Sequence, residues 1–332
     1  MNKVHIKSTI SRFVWDNFFC GSFFSYLLKK SSFILMYHRV IPHIDDDIFF
    51  IQPGMYVLNS TFEKQMEFLK KNFNVVPLQE LVTMLNSKQN IDGFCAITFD
   101  DGWLDNYSYA YPVLLRQNLP ATIFLSTGFI GTDKIFWPDE VAYYLSSLCS
   151  KNFSLVQEKI KLIVPYGQCI KVDDIDSVVN ACKKCKPSVR EFFLNDLREL
   201  SGVLKPNRFL MNWDEVKIML SSGLIDFGAH TVNHEILDQI SLSAARYEIQ
   251  ESLNSLYFHL GIKPDLFAFP NGNYNAQIIS ILKYYNFKAS VTTQKRKLLS
   301  KDLLYELPRI GVHEDVSFTL QLFKSRIFFN YI

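Results

Sequence analysis

The feature that most constrains this chain is a rhythm. Short runs rich in Val, Ile, Leu and Phe recur at 33–37, 74–76, 95–99, 121–125, 225–229, 266–269, 289–292 and 306–310. Stretches of helical periodicity lie between them, near 61–72, 78–86, 107–118, 213–222, 243–260 and 275–286. A strand buried on both faces needs an unbroken apolar run, and strands separated by helices build βαβ units around a parallel sheet. With this many units the sheet is expected to close into a barrel. Its reactive groups would then sit at the carboxyl ends of the strands.

Two regions depart from the rhythm. Residues 138–210 are rich in Lys and Asp and helical in places, notably 189–200; they read as a helical insertion between two barrel strands. Residues 1–30 read as an N-terminal helical extension ahead of a main domain at 31–332. Within it, 10–28 carries Phe13, Trp15, Phe18, Phe19, Phe23, Phe24 and Tyr26, interrupted by Arg12 and Asp16 and followed by Lys29 and Lys30. That run is too short and too polar to span a bilayer, and no clean signal-peptide core is evident. Two readings stay open: a helix lying in a membrane interface as a peripheral contact, or a helix packed on the main domain.

Charge and cysteine usage narrow the class. The formal net charge is +2, with no long basic block, so nothing asks for a nucleic-acid partner. Cys20, Cys95, Cys149, Cys169, Cys182 and Cys185 are too scattered for a small disulfide scaffold, and point to a reducing compartment. The expected location is cytoplasmic, with the inner membrane face as the place for any peripheral contact. Cys182 and Cys185 form a lone C-x-x-C in a Lys-rich stretch, without the second pair a zinc ribbon needs. They read as two reduced thiols on a helical surface.

The chemistry is concentrated in two stretches, each following an apolar run. Thr98-Phe99-Asp100-Asp101-Gly102 places adjacent carboxylates where a strand should end. Like charges held together there need a cation or a shared proton. His230-Thr231-Val232-Asn233-His234 follows the run at 225–229. Two histidines four apart on one helical turn point the same way and can share an ion. Two imidazoles and one carboxylate leave coordination positions open, the arrangement of a catalytic centre. The expected division assigns Asp101, His230 and His234 as ligands and Asp100 as general base. Zinc suits these donors; cobalt, nickel, manganese or iron(II) fit the same set.

These two motifs resemble the first two motifs of the NodB-homology polysaccharide deacetylases, carbohydrate esterase family four. The likeness runs from about 33 to 312. It is supported by Pro120-Ala121-Thr122-Ile123-Phe124-Leu125, Met211-Asn212-Trp213-Asp214, Phe267-Ala268-Phe269-Pro270-Asn271-Gly272-Asn273-Tyr274 and Leu307-Pro308-Arg309-Ile310. The resemblance implies an α/β fold, a distorted (β/α)7 barrel, with an Asp-His-His metal site. It also implies hydrolytic removal of acetyl groups from an acetylated amino-sugar glycan or a lipid-linked precursor in surface-polysaccharide assembly.

The chain lacks the family's usual third-motif Arg and its C-terminal Leu-x-His. It carries Met36-Tyr37-His38-Arg39-Val40 instead, which is similar to the permuted branch of poly-N-acetylglucosamine deacetylases. That likeness implies His38 as the general acid for the leaving amine, with His313 as its rival. Arg309 is then the candidate to orient Asp100 in place of the missing Arg, and a backbone N–H at Tyr107 or a neighbour is expected to stabilise the oxyanion. Pro270, Asn271, Tyr274 and Trp137 are expected to line the sugar site; His43 and His259 carry no catalytic role. The alternatives on the same fold are an O-acetyl esterase, a small-molecule C–N hydrolase, or a glycan-binding protein without catalysis.

Overall fold

The structure is a computed structural model that describes residues 22–43, 51–149, 152–164, 170–203 and 208–329. Most of the aromatic run at 10–28 therefore lies outside the described residues; its end joins a helix, α1 (Ser22–Lys30). Among the described residues, no helix is long and apolar enough to cross a membrane.

The described residues divide into two compact units. One lies within Met1–His43, Gly54–Thr132 and Phe209–Ile332, and the other within Ile44–Pro53 and Asp133–Arg208. The first is a barrel of parallel strands. Its strands are β1 (Phe33–Tyr37), β4 (Asn74–Val75), β5 (Phe94–Phe99), β6 (Ala121–Leu125), β7 (Ile225–Ala229), β8 (Leu266–Ala268), β9 (Ala289–Val291) and β10 (Ile310–Gly311). Seven run in the order β10-β1-β5-β6-β7-β8-β9, and β4 adds to β5. Every pairing is parallel, so all carboxyl ends face one way. The strands read as unbroken apolar runs because both faces are covered. Ile34, Ala96, Phe124, Ala268 and Leu307 pack with Leu81 and Leu85 of the helix Leu78–Asn86.

Three details were not readable from the runs. The stretch at 306–310 was expected to be a strand, yet the strand is only Ile310–Gly311. Leu307 makes a single bridge to Val291, Pro308 has no N–H to offer, and Arg309 N donates to Gln294 O at 3.1 Å. The same short segment thus touches β9 at one end and β1 at the other, closing the circuit irregularly. A second, two-stranded sheet pairs β2 (Arg39–Ile41) with β3 (Tyr56–Leu58) in parallel. The helix expected near 107–118 opens as a π-helical turn, Asn106–Ala110, before the α-helix Tyr111–Gln117.

The second unit is helical: Trp137–Ser146, Phe153–Ile163, Ile175–Lys184 and Pro187–Ser201. It has its own core, with Val141, Tyr144, Ile160, Val178, Phe193 and Leu197 packed together. Cys182 belongs to that core and is fully buried, which corrects its reading as a surface thiol. It falls on the apolar stripe of its helix beside Val178 and Val179, where a small side chain fits better than a charged one. Cys185 is half-buried, its thiol directed at the carbonyls of Ile163 and Ala181.

Candidate active site

The carboxyl end of β5 delivers the carboxylate pair. Asp100 N donates to Tyr37 O at 3.0 Å, so β5 is still paired with β1 as the charged residues begin. The chain then turns sharply: Asp101 has φ +76° and Gly102 φ +88°. At φ +88° a side chain at position 102 would be strained, and its Cβ would also press to 2.7 Å on Leu125 Cδ2, so the turn favours glycine.

The turn sends the two carboxylates to different partners. Asp100 is gripped by Arg309, whose two terminal nitrogens lie 2.7 Å from Oδ1 and 2.7 Å from Oδ2. Arg309 is itself fully buried and also donates to Thr98 Oγ1 at 3.1 Å and Thr292 O at 3.0 Å. Burial works against ionising Asp100, but the charge and hydrogen bonds of Arg309, together with the nearby His230 and His38, hold the carboxyl well below the usual carboxylate range.

Asp101 faces the other way. Its Oδ2 accepts from Trp103 Nε1 at 2.9 Å. Its Oδ1 is buried without a hydrogen-bond partner, 3.5 Å from His230 Nε2 and 3.4 Å from His234 Nε2. The ligand atoms of Asp101, His230 and His234 all lie within 4.8 Å of one another. An orphaned carboxylate oxygen facing two imidazole nitrogens is costly unless a cation joins them. The donor set therefore fits a divalent metal with open positions.

Each imidazole is prepared for that role. His230 is 2% exposed, and its Nδ1 lies 2.8 Å from Ala268 O. A carbonyl can only accept, so Nδ1 carries the proton and Nε2 offers its lone pair. Burial pushes both His230 and His234 down to about 4, leaving them neutral. The two histidines do not share a helical turn, contrary to the sequence expectation. The stretch between them is a loop in which Thr231 (φ +65°) and His234 (φ +56°) are left-handed. That reversal of the backbone brings the rings to 4.9 Å between centroids.

The loop is held from outside the motif. Glu248, 5% exposed on the helix Leu242–Leu260, accepts from Val232 N (2.9 Å), Asn233 N (2.8 Å) and Asn233 Nδ2 (2.7 Å). Sequence reasoning missed it, although a signal existed. Ala245, Glu248, Ile249, Ser252 and Leu256 form the buried stripe of this helix, and a charge in such a stripe demands partners. Trp103 was missed likewise.

His38 follows β1 at the same end of the barrel and lies within electrostatic reach of Asp100, His234 and His313. His313 precedes the short helix Glu314–Ser317, with Nδ1 3.0 Å from Asp315 Oδ2. His259 is stacked on Trp213 at 4.0 Å. Pro270, Asn271 and Tyr274 follow β8. Pro270 is buried; Asn271 (φ +57°) bonds Asn273. Tyr274 stacks on Phe269, donates to Glu306 at 3.2 Å and accepts from Gln294 at 3.1 Å. Tyr107 lies in the π-helical turn, its ring stacked on Tyr111. Trp137 belongs to the helical unit, where the Arg190 guanidinium sits 4.4 Å over its ring.

Comparison with known proteins identifies the family and the fold. The polysaccharide deacetylase family model matches residues 87–171 and 183–290, more than half of the chain. YxkH of Bacillus subtilis (strain 168), provisionally named a polysaccharide deacetylase, is 35% identical over 100 residues, covering 30% of this chain and 33% of that protein. The chain thus spans about one third of the length of the curated relative it matches. Three solved structures share the fold at low identity. The Streptococcus pyogenes deacetylase PplD in complex with acetate has a TM-score of 0.59 at 19% identity, covering 89% of this chain and 98% of that one. IcaB from Ammonifex degensii gives 0.57 at 19%, covering 88% and 96%. A de-N-acetylase from Aggregatibacter actinomycetemcomitans gives 0.58 at 17%, covering 90% and 100%.

Proposed function

The chain belongs to the polysaccharide deacetylase family, and we propose that it is a metal-dependent hydrolase removing N-acetyl groups from an amino-sugar glycan or a lipid-linked glycan precursor. One observation carries this reading: the buried, unpartnered Asp101 Oδ1 converging with His230 Nε2 and His234 Nε2. Asp101, His230 and His234 would hold the ion; zinc suits these donors, and cobalt, nickel, manganese or iron(II) fit them too. When bound, such an ion supplies a Lewis acid that polarises a carbonyl and acidifies water.

The chain's own residues divide the remaining work. Asp100, kept ionised by Arg309, takes a proton from the water that attacks the acetyl carbonyl carbon. His38 gives a proton to the amine nitrogen as the C–N bond breaks, and acetate leaves. An amide leaving group needs that proton, so an imidazole acting there would favour N- over O-deacetylation. Pro270, Asn271 and Tyr274 would contact the sugar. The test is acetate release from a panel of N- and O-acetylated sugars, with and without chelator. Acetate from N-acetyl substrates, abolished by chelation and restored by metal, supports the reading. Release that is indifferent to chelator sinks it.

A further inference from the structure

His38 is the single residue between the end of β1 and the three-residue strand β2, which among the described residues pairs with β3 alone. That is a weak mount for a group that must meet a reacting nitrogen within hydrogen-bond distance. The structure supplies a stronger one. Asn106 Nδ2 donates to His38 O at 2.7 Å. Arg39 Nε donates to Asp105 Oδ2 at 2.8 Å, and Val40 N donates to Asp105 Oδ1 at 3.0 Å. Three consecutive residues, beginning with His38, are thus fastened by two consecutive side chains.

Those side chains are buried, Asp105 at 7% exposed and Asn106 at 0%, and they lie one turn beyond the Asp100-Asp101 pair. The Arg39 guanidinium also lies 4.5 Å over the Trp103 ring, and Trp103 Nε1 donates to Asp101 Oδ2. The carboxylate turn and the His38 segment are therefore locked in one register, although about 60 residues of chain separate them.

We propose that Asp105 and Asn106 are positioning residues that set His38 against the nitrogen of the scissile amide. This rests on the reading of His38 as the acid. The reaction fixes what misplacement should do. Asp100 takes one proton from water, and the remaining hydroxide oxygen bonds to the carbonyl carbon. The C–N bonding pair moves to nitrogen, which takes a proton from His38, releasing an amine and acetate. A phenolate leaves without protonation, so an activated acetate ester bypasses this last transfer. Misplacing His38 by about 1 Å should slow amide hydrolysis on the order of 10²-fold and spare the ester.

The test uses the full chain supplied with metal, N-acetylglucosamine oligomers and 4-nitrophenyl acetate as probes, and Asn106→Ala, Asp105→Asn and His38→Ala as variants. Asn106→Ala should lower kcat/KM on the amide about 10- to 100-fold and leave the ester within about 3-fold of wild type. His38→Ala should show the same selectivity, more strongly. Asp105→Asn keeps an acceptor for Val40 N and serves if Asn106→Ala does not fold. If His38→Ala slows both probes alike, the reading of His38 fails. If His38→Ala is selective while the two positioning variants slow both probes equally, or neither, the positioning inference is overturned. A crystal structure of Asn106→Ala decides the placement whatever the substrate: a His38 that has not moved refutes the inference.

Discussion

Arg309 presents its guanidinium edge-on to Asp100, with both terminal nitrogens 2.7 Å from the two carboxylate oxygens. Bulk solvent cannot stand in for a missing partner, since Arg309 is fully buried and Asp100 is 3% exposed. Arg309→Met should therefore strand a buried carboxylate, costing about 3–5 kcal/mol of stability. Arg309→Lys keeps the charge and loses the two-point grip; kcat should fall about 10- to 100-fold with a smaller loss of stability. Steady-state acetate release and thermal melting of both variants check this. An Arg309→Lys protein at full activity would show that the grip is structural only.

Asp100→Asn removes the proposed base and leaves all three candidate ligands in place. Turnover should be lost while metal stays bound at the wild-type stoichiometry, measured by elemental analysis after gel filtration. Near-normal turnover would move the base elsewhere.

Glu248 touches neither proposed substrate nor proposed metal, yet it ties down the loop that presents His234. Glu248→Ala should weaken metal affinity about 10- to 100-fold, read by competition with a chromophoric chelator. Glu248→Gln, which retains one acceptor oxygen, should fall between. Equal affinities across the three proteins would reduce Glu248 to a packing residue.

Gly272 turns the chain between Asn271 and Tyr274 with φ +79°. A Cβ there would collide with Thr293 Oγ1. Gly272→Ala should lower Tm by several degrees and raise KM more than it lowers kcat, because it shifts the loop proposed to contact the sugar. A melting curve and a Michaelis profile test it.

Burial pushes the Cys182 thiol up to about 12 and also raises that of Cys95. A raised value means a neutral thiol below it, so at pH 8 the reactive thiolate of Cys182 is scarce. Iodoacetamide at pH 8 should modify exposed Cys149 and leave Cys182 and Cys95 unmodified until the protein is denatured. Peptide mapping by mass spectrometry reads this directly.

Much of the barrel was legible because its strands are short, apolar and buried on both faces, as at 33–37 and 121–125. The candidate site was legible because Asp100, Asp101 and His230 come directly after such runs, where a charge has no structural excuse. What failed to show was whatever depends on contacts distant in sequence. Nothing local announces that Arg39–Ile41 pairs with Tyr56–Leu58, or that Pro308 and Arg309 interrupt a strand. The His230–His234 spacing suggested a helix, but left-handed residues bring the rings together by another route. Glu248 was hidden in an otherwise ordinary amphipathic helix.

Thr231 and His234 hold positive φ angles that side chains other than Asn, Asp and Gly avoid. Such conformations cost on the order of 1 kcal/mol apiece, a cost that thermal selection is free to remove. A mutant library scored on heat resistance alone would reward His234→Gly or His234→Asn, and under the proposed metal site its winners would be sturdier proteins without turnover. Any engineering of this protein for robustness has to screen for the proposed turnover in the same round.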